Sequence, residues 1–262
     1  MKVEIIENKD QKISFLIEKF PTAYVNTLRR TIIEEVPTMA IEEVEFFTND
    51  SALYDEIIAH RLGLIPLYTD LKTYNLPTEC SCKGAGCAKC QVKLTLKVKG
   101  PKTVYASDLK TTDPKIKPVY PEMIIVKLLE GQELELEATA QLGKGKEHMK
   151  WAPGHAYYVN VAEIKINNDK IKNPKVCVEK CPKGIFKIQN GKLVVDEDKI
   201  LECTLCKACE EECENNAIKV EPKEDEFIFH LESWGQLPTK KIVEQAIEEI
   251  NKKFEEFIEC LK

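Results

Sequence analysis

Four cysteines in the segment CTLCKACEEEC, residues 203–213, limit the folds open to this chain more than any other feature. Their spacing is Cys-x2-Cys-x2-Cys-x3-Cys, which bacterial-type ferredoxins use to hold cubane iron–sulfur clusters. Thiols this close in sequence serve one metal centre only if the fold brings them to a common point. The run therefore predicts a small metal-bound module, and a single zinc ion held by four cysteines is the alternative occupant.

A degenerate copy of this run lies upstream, in the segment IKNPKVCVEKCP at residues 171–182. Ile171 and Pro174 occupy the positions of its first two cysteines, whereas Cys177 and Cys181 keep the last two. In a two-cluster ferredoxin each cluster takes three thiolates from one run and the fourth from the other. Half of one ligand set is therefore missing, and the other set is complete.

This crossover predicts one iron–sulfur cluster, of the 3Fe-4S or 4Fe-4S type, with the ligands Cys181, Cys203, Cys206 and Cys209. The lost cluster leaves Cys177 and Cys213 as neighbours without a metal, and we expect these two thiols to be close enough for a disulfide. Between the two runs the sequence predicts a hairpin that turns at Asn190-Gly191, and NNAIKV, residues 215–220, predicts a short strand.

A second group of cysteines lies in a glycine-containing loop at residues 80–90. Its pattern is Cys-x-Cys-x4-Cys-x2-Cys, and its members are Cys80, Cys82, Cys87 and Cys90. Zinc accepts four thiolates from such a short loop because this ion imposes little geometry of its own. The loop is a candidate zinc site, with two disulfides or an unoccupied loop as the alternatives.

The eleven cysteines favour metal sites over disulfides, because cellular thiols keep most cysteine pairs reduced. The N-terminal sequence MKVEIIENKD lacks the features of a signal peptide, and no apolar run approaches the roughly 20 residues of a membrane span. We therefore expect a cytoplasmic protein that does not contact the membrane. The net charge of −6, without a basic cluster, argues against direct contact with nucleic acid.

The rest of the sequence alternates strand patterns with amphipathic helices, which is typical of an α+β fold. Helices are predicted from Thr22 until Pro37 and over residues 55–67. Strands are predicted over residues 91–100, 123–129, 133–140 and 156–166.

The last segment predicts the longest helix, with an apolar stripe that fits either the chain's own core or a partner helix. On its other side, Glu248–Lys252 and Glu249–Lys253 have the spacing of exposed ion pairs. The stripe consists of Ile242, Val243, Ala246, Ile247, Ile250, Phe254, Phe257, Ile258 and Leu261.

Three segments outside the cysteine runs carry a resemblance to a known family. They are FPTAYVNTLRRTIIEEVPTMAI (20–41), DEIIAHRLGLIPL (55–67) and FHLESWGQLPTKKIVEQAI (229–247). They resemble the archaeal RNA polymerase subunit that is the counterpart of bacterial alpha and of the third-largest eukaryotic subunit. The resemblance covers nearly the whole chain, and some members of that family carry both a ferredoxin-like module and a loop of four cysteines.

The resemblance implies an α+β fold in which an alpha-like dimerisation domain is interrupted by an inserted mixed α/β domain and a ferredoxin-like module. The dimerisation domain comprises residues 1–40 and 224–262, the inserted domain residues 41–165, and the ferredoxin-like module residues 166–223. The implied function is that of a noncatalytic assembly subunit of DNA-directed RNA polymerase. It pairs with a smaller alpha-like subunit, and the pair then binds the large catalytic subunits.

The rival function is that of an iron–sulfur electron-transfer protein or a redox-enzyme subunit. Such a protein needs a further redox site, for example a second complete cluster run or a glycine-rich nucleotide loop, and the sequence contains neither. A zinc-dependent nucleic-acid binder conflicts with the acidic balance of the chain. We assign no residue to a catalytic role and expect no active site on this chain.

Overall fold

The computed structural model describes residues 1–213 and 216–262. Over these residues the chain forms twelve β-strands and five α-helices. The strands are β1 (Lys2–Lys9), β2 (Lys12–Glu18), β3 (Thr38–Asn49), β4 (Gln91–Lys99), β5 (Lys102–Tyr105), β6 (Lys110–Thr111), β7 (Ile124–Leu128), β8 (Glu133–Gly143), β9 (Gly154–Ile166), β10 (Phe186–Gln189), β11 (Lys192–Val195) and β12 (Ile218–Ser233). The helices are α1 (Thr22–Glu34), α2 (Asp55–Gly63), α3 (Pro174–Lys180), α4 (Ala208–Glu212) and α5 (Thr239–Cys260).

The chain divides into two compact units, each built from separated segments. The first unit comprises residues 1–8, 14–27 and 157–230. The second comprises residues 9–13, 28–156 and 231–262. Each unit therefore depends on contacts between residues that are far apart in the sequence.

Most of a four-stranded sheet, with the strand order β1-β2-β12-β9, belongs to the first unit. Phe15 and Phe229 are buried there, and their rings stack with centroids 5.1 Å apart. The separate hairpin β10–β11 turns at Asn190-Gly191, whose φ angles are 51° and 77°. A type I′ turn needs positive φ at both central residues, which Asn-Gly accommodates. The predicted hairpin is confirmed.

The cysteine-bearing part of the first unit has its own apolar core. This core contains three cysteines, and the side chains packed with them are aliphatic or aromatic. The buried members are Ala162, Cys177, Phe186, Leu193, Cys209, Cys213, Ile218 and Val220. Helices α3 and α4 are thus fixed by burial of the same cysteines that the sequence singles out.

Strand β12 replaces the short strand predicted over residues 215–220. Asn215 lies outside the described residues, and the strand begins at Ile218 and continues without interruption to Ser233. The charged segment EPKEDEF, which carries no apolar alternation of its own, is held in this strand by pairing with its neighbours.

The second unit contains the main apolar core, under a sheet with the order β3-β8-β4-β6. Strand β4 alternates as predicted, with Val92, Leu94 and Leu96 buried and the residues between them exposed. Helix α2 packs Ile58 and Leu62 into this core and ends at Gly63, ahead of Pro66. A second, two-stranded sheet is formed by β5 and β7.

The expected α+β fold class is confirmed by this mixture of largely antiparallel sheets and separate helices. Among the described residues, no helix combines the length and the apolar character that crossing a membrane requires.

Candidate metal centres and assembly helix

The four cysteines at 80–90 lie in the second unit, in the loop between α2 and β4. Tight backbone turns fold this loop: the N–H of Lys83 donates to the carbonyl of Cys80 at 2.9 Å, and the N–H of Cys90 donates to the carbonyl of Cys87 at 3.0 Å. Gly84 and Gly86 have φ near +83°, a conformation that favours glycine. These turns bring residues from both ends of the loop together.

The sulfur atoms of this loop have the spacing of a single-ion site. The Sγ–Sγ distances are 3.6 Å for Cys80–Cys87, 3.6 Å for Cys82–Cys90 and 3.8 Å for Cys87–Cys90. All four sulfurs lie within 4.8 Å of one another. A tetrahedral zinc ion with Zn–S bonds of about 2.3 Å separates its sulfurs by about 3.8 Å, whereas a disulfide needs about 2.05 Å. The donor set therefore fits a tetrahedral metal ion.

The thiols of this loop influence one another's ionisation. Burial opposes it, yet hydrogen bonds from Cys80, Cys90 and Cys87 to the Cys82 sulfur lower the pKa of Cys82 to about 6. Burial raises the pKa of Cys90 to about 12. The loop thus stabilises a thiolate at Cys82 before any metal is added, and thiolates are the form that binds metal.

The second group, Cys181, Cys203, Cys206 and Cys209, lines one pocket in the first unit. The pocket wall also includes Ile164, Phe186 and Val220, so the surroundings of the thiols are apolar. Cys209 is buried, Cys181 and Cys203 are half-buried and Cys206 is exposed. Positive φ angles at Leu205 (55°) and Lys207 (61°) turn the chain sharply between the ligands.

This pocket differs from the 80–90 loop in sulfur spacing. Within residues 1–213 and 216–262, the 80–90 group is the one set of three or more His, Cys, Asp or Glu side chains close enough for a single ion. The pocket thiols line a common cavity but do not meet that spacing. Burial, and to a smaller extent the charges of the nearby Cys181 and Cys203, raise the pKa of Cys209 to about 11. The Cys209 thiol therefore stays protonated at neutral pH unless a metal displaces its proton.

Cys177 and Cys213 form a disulfide in the structure, with their Cα atoms 5.6 Å apart. Cys177 lies on α3, and Cys213 follows the last residue of α4. Both are buried in the small apolar core of the first unit. The structure thus pairs the two cysteines that the ligand crossover left without a metal.

Helix α5 is buried along its first half and exposed along its second. Ile242 and Ala246 are fully buried, whereas every residue from 251 to 262 is exposed. The apolar stripe continues into that exposed half, where Phe254 is 59%, Phe257 62% and Ile258 53% exposed. Leu261 is exposed as well. These four apolar side chains form a patch at the end of the helix, and patches of this kind mark protein interfaces.

A partly buried ion network lies beside the turn of α5 where exposure begins. Lys144 Nζ donates to Glu249 at 3.0 Å and to Glu35 at 3.3 Å, and Lys253 Nζ donates to the other oxygen of Glu35. Burial opposes ionisation of Glu35, but Lys253 and Lys144 hold the pKa of Glu35 below its ordinary value. The network joins α5 to the end of α1 and to the segment after β8.

No local pattern in the sequence signals this network. Helical spacing suggests that Glu249 pairs with Lys253 and Glu248 with Lys252 on an exposed face. Instead Glu249 is buried against Lys144, and Lys252 Nζ donates to Glu79, which directly precedes the first cysteine of the 80–90 loop. The partners are 105 and 173 residues away in the chain, beyond the reach of helical periodicity.

Comparison with known proteins identifies the family. Residues 40–156 match the RNA polymerase Rpb3/RpoA insert domain. The DNA-directed RNA polymerase subunit Rpo3 of Methanosarcina mazei is 43% identical over 263 residues, which cover 100% of this chain and 98% of that subunit. The Rpo3 subunits of Methanosphaera stadtmanae (40% identical; 98% of this chain and 97% of the relative) and Pyrococcus horikoshii (38%; 100% and 98%) are also similar along their full lengths.

These full-length similarities favour the polymerase interpretation over an electron-transfer protein, and they confirm the resemblance described above. Together with the family match in residues 40–156, they show that the chain belongs to the archaeal family of DNA-directed RNA polymerase subunit Rpo3.

Proposed function

We propose that this chain is the noncatalytic platform on which the polymerase assembles, and that the exposed half of α5 is its docking surface for a smaller alpha-like subunit. The observation that carries the proposal is the apolar stripe that leaves the core at residue 251 and continues exposed to Leu261. Burying such a stripe against a partner helix removes apolar area from water, which is the main driving force for protein association.

The proposed domains correspond to the segments defined in the sequence analysis. Residues 1–40 and 224–262 form the dimerisation domain, and residues 41–165 form the inserted domain. Residues 166–223 form the ferredoxin-like module. The heterodimer with the smaller subunit then offers a composite surface to the large catalytic subunits.

Two metal centres support this platform. Cys181, Cys203, Cys206 and Cys209 hold one iron–sulfur cluster of the 3Fe-4S or 4Fe-4S type. Cys80, Cys82, Cys87 and Cys90 hold zinc. The sulfur spacing of the loop supports the zinc assignment. The ferredoxin-type cysteine spacing and the shared apolar pocket support the cluster assignment.

Co-expression with the smaller alpha-like subunit tests the docking surface. The unaltered chain co-elutes with that subunit, and the double variant Phe254→Asp/Phe257→Asp does not, because the new carboxylates lose their water in an apolar interface. Glu259→Lys is the matched control, since it changes the charge at an exposed position on the opposite side of the helix and leaves the stripe intact. Co-elution of the double variant overturns the proposal.

Metal analysis tests the two centres independently. The purified chain, prepared without oxygen, contains iron, sulfide and zinc. Cys82→Ser lowers the zinc content alone, and Cys209→Ser lowers the iron and sulfide content alone. Zinc in place of iron at the second set, or no metal in the 80–90 loop, contradicts the assignment.

A further inference from the structure

We propose that the Cys177–Cys213 disulfide is a redox lock that keeps Cys181 in place as a cluster ligand. The inference rests on the proposed iron–sulfur cluster, and it concerns how firmly that cluster is retained. It gives a function to two cysteines that bind no metal.

Two short helices carry both the disulfide and the ligands. Helix α3 bears Cys177 and is followed directly by Cys181. Helix α4 bears Cys209 and is followed directly by Cys213. In each helix the disulfide cysteine and the ligand are four residues apart, about one helical turn. The disulfide and the two ligands therefore belong to one helix pair.

Neither helix is long enough to be stable alone. Helix α3 has seven residues and α4 has five, whereas isolated helices below about 12 residues are marginal in water. The ion pair Lys180–Glu212 adds little, because both side chains are about half exposed. Besides their packing in the small core, the two helices are joined by the disulfide, a covalent restraint that spans 36 residues of sequence.

Cys181 depends on that restraint more than the other ligands do. Cys203, Cys206 and Cys209 come from one short segment, and they stay together when α3 moves. Cys181 reaches the same pocket from a different segment, between the end of α3 and a turn in which the N–H of Ile185 donates to its Sγ at 3.5 Å. Opening the disulfide therefore loosens one ligand of four, and it leaves a cluster held by three thiolates that is lost more easily.

The chemical step needs an external reductant. A water-soluble trialkylphosphine attacks the disulfide, and water then supplies an oxygen atom and two protons. The phosphine becomes a phosphine oxide, and Cys177 and Cys213 become two thiols. A cellular dithiol achieves the same two-electron reduction by thiol–disulfide exchange, and its own two thiols become a disulfide.

The test follows the visible absorbance of the cluster in the anaerobic, loaded full-length chain after an iron chelator is added. Without phosphine the absorbance decays slowly. After phosphine treatment, with opening of the disulfide verified by thiol titration, it decays about tenfold faster, since loss of groups that orient a metal ligand costs about 10–100-fold in metal affinity. The double variant Cys177→Ala/Cys213→Ala decays at the fast rate with or without phosphine.

Cys260→Ala is the matched control, because it removes an exposed thiol outside the helix pair. This variant decays slowly and keeps its response to phosphine. Equal decay of the unaltered chain before and after verified reduction overturns the lock, as does slow decay of the double variant. If the double variant takes up no cluster, the decay rates of the unaltered chain with and without phosphine are sufficient to test the proposal. Failure of the unaltered chain to form any chromophore refutes the proposed cluster itself.

Discussion

Single thiols in the cluster pocket differ in their contact with water, and that difference governs their reactivity. Cys209 is buried and the pKa of its thiol is raised, whereas Cys206 is exposed. In the proposed cluster, the exposure of Cys206 allows small oxidants to reach the neighbouring iron first. Sequence spacing predicts four cysteines that the structure places around one pocket. Their order of exposure could not be predicted, because it depends on strands and helices that pack around the run.

We expect oxygen to remove one iron next to Cys206, while Cys181, Cys203 and Cys209 hold the remaining three. A 4Fe-4S cluster then converts to a 3Fe-4S cluster. Paramagnetic resonance on anaerobic and air-exposed samples measures this change. Identical spectra in the two samples, with no three-iron signal, contradict the expectation.

A carboxylate in the second unit offers a test of acid stability. The Thr73 hydroxyl donates to Asp70 at 2.8 Å, and Lys115 and backbone N–H groups add further donors, which lowers the pKa of Asp70 from 3.8 to about 2. Because the pKa of Asp70 is lower in the folded chain than in the unfolded chain, the ionised carboxylate stabilises the fold at pH values above about 4. This stabilisation is lost as the pH falls from about 4 to about 2. Asp70→Asn should therefore cost about 1–2 kcal/mol at pH 7 and much less near pH 2.

Urea denaturation of the variant and of the unaltered chain at pH 7, 4 and 2.5 measures this difference. Asp10→Asn, at an exposed turn between β1 and β2, is the control. A stability loss for Asp70→Asn that is independent of pH argues that the hydrogen bonds of Asp70, and not its charge, stabilise the fold.

Helix α5 shows which features of an element a sequence pattern reveals. The stripe from Ile242 to Leu261 predicts the helix and its apolar face, because a period of 3.6 residues is a local property. The pattern does not show where the core ends along that face. The chain's own core covers only the first half, and the charged neighbours Glu249 and Lys253 bind Lys144 and Glu35 from distant segments.

We expect Lys144→Met to destabilise the second unit by about 3 kcal/mol. The substitution leaves the buried carboxylate of Glu249 without its cation, and Glu35 keeps only Lys253. Removing one partner of a buried ion pair is strongly unfavourable, because the remaining charge is uncompensated. Lys146→Met is the control, because Lys146 is exposed in the same segment. Chemical denaturation of both variants measures the difference, and equal stability of the two would show that the network contributes nothing.

At the scale of the whole molecule, the segment 166–223 and the docking helix use different sources of stability. The segment 166–223 has short helices, a disulfide and a small core around its cysteines. Helix α5 belongs to the second unit, whose main apolar core is formed by residues between Met39 and Leu142. Loss of the cluster is therefore expected to change one part of the protein without dissolving the other.

Replacing Cys203 and Cys209 by Ser should unfold residues 166–223 and leave the heterodimer intact. The segment buries little apolar surface, so metal binding supplies much of its folding free energy. Limited proteolysis of the variant in complex with the smaller subunit locates the unfolded part. Cuts confined to 166–223 are expected, whereas release of the smaller subunit would show that the cluster also supports the dimerisation domain.

The half-exposed helix α5 also bears on how many copies of this protein a cell keeps. A copy without its partner presents Phe254, Phe257, Ile258 and Leu261 to water at the end of the chain. Exposed apolar patches of this kind promote aggregation and attract the proteases and chaperones that remove unassembled proteins. Under the proposed pairing, a surplus of this chain is therefore short-lived, and the supply of the smaller subunit sets the stoichiometry of the pool.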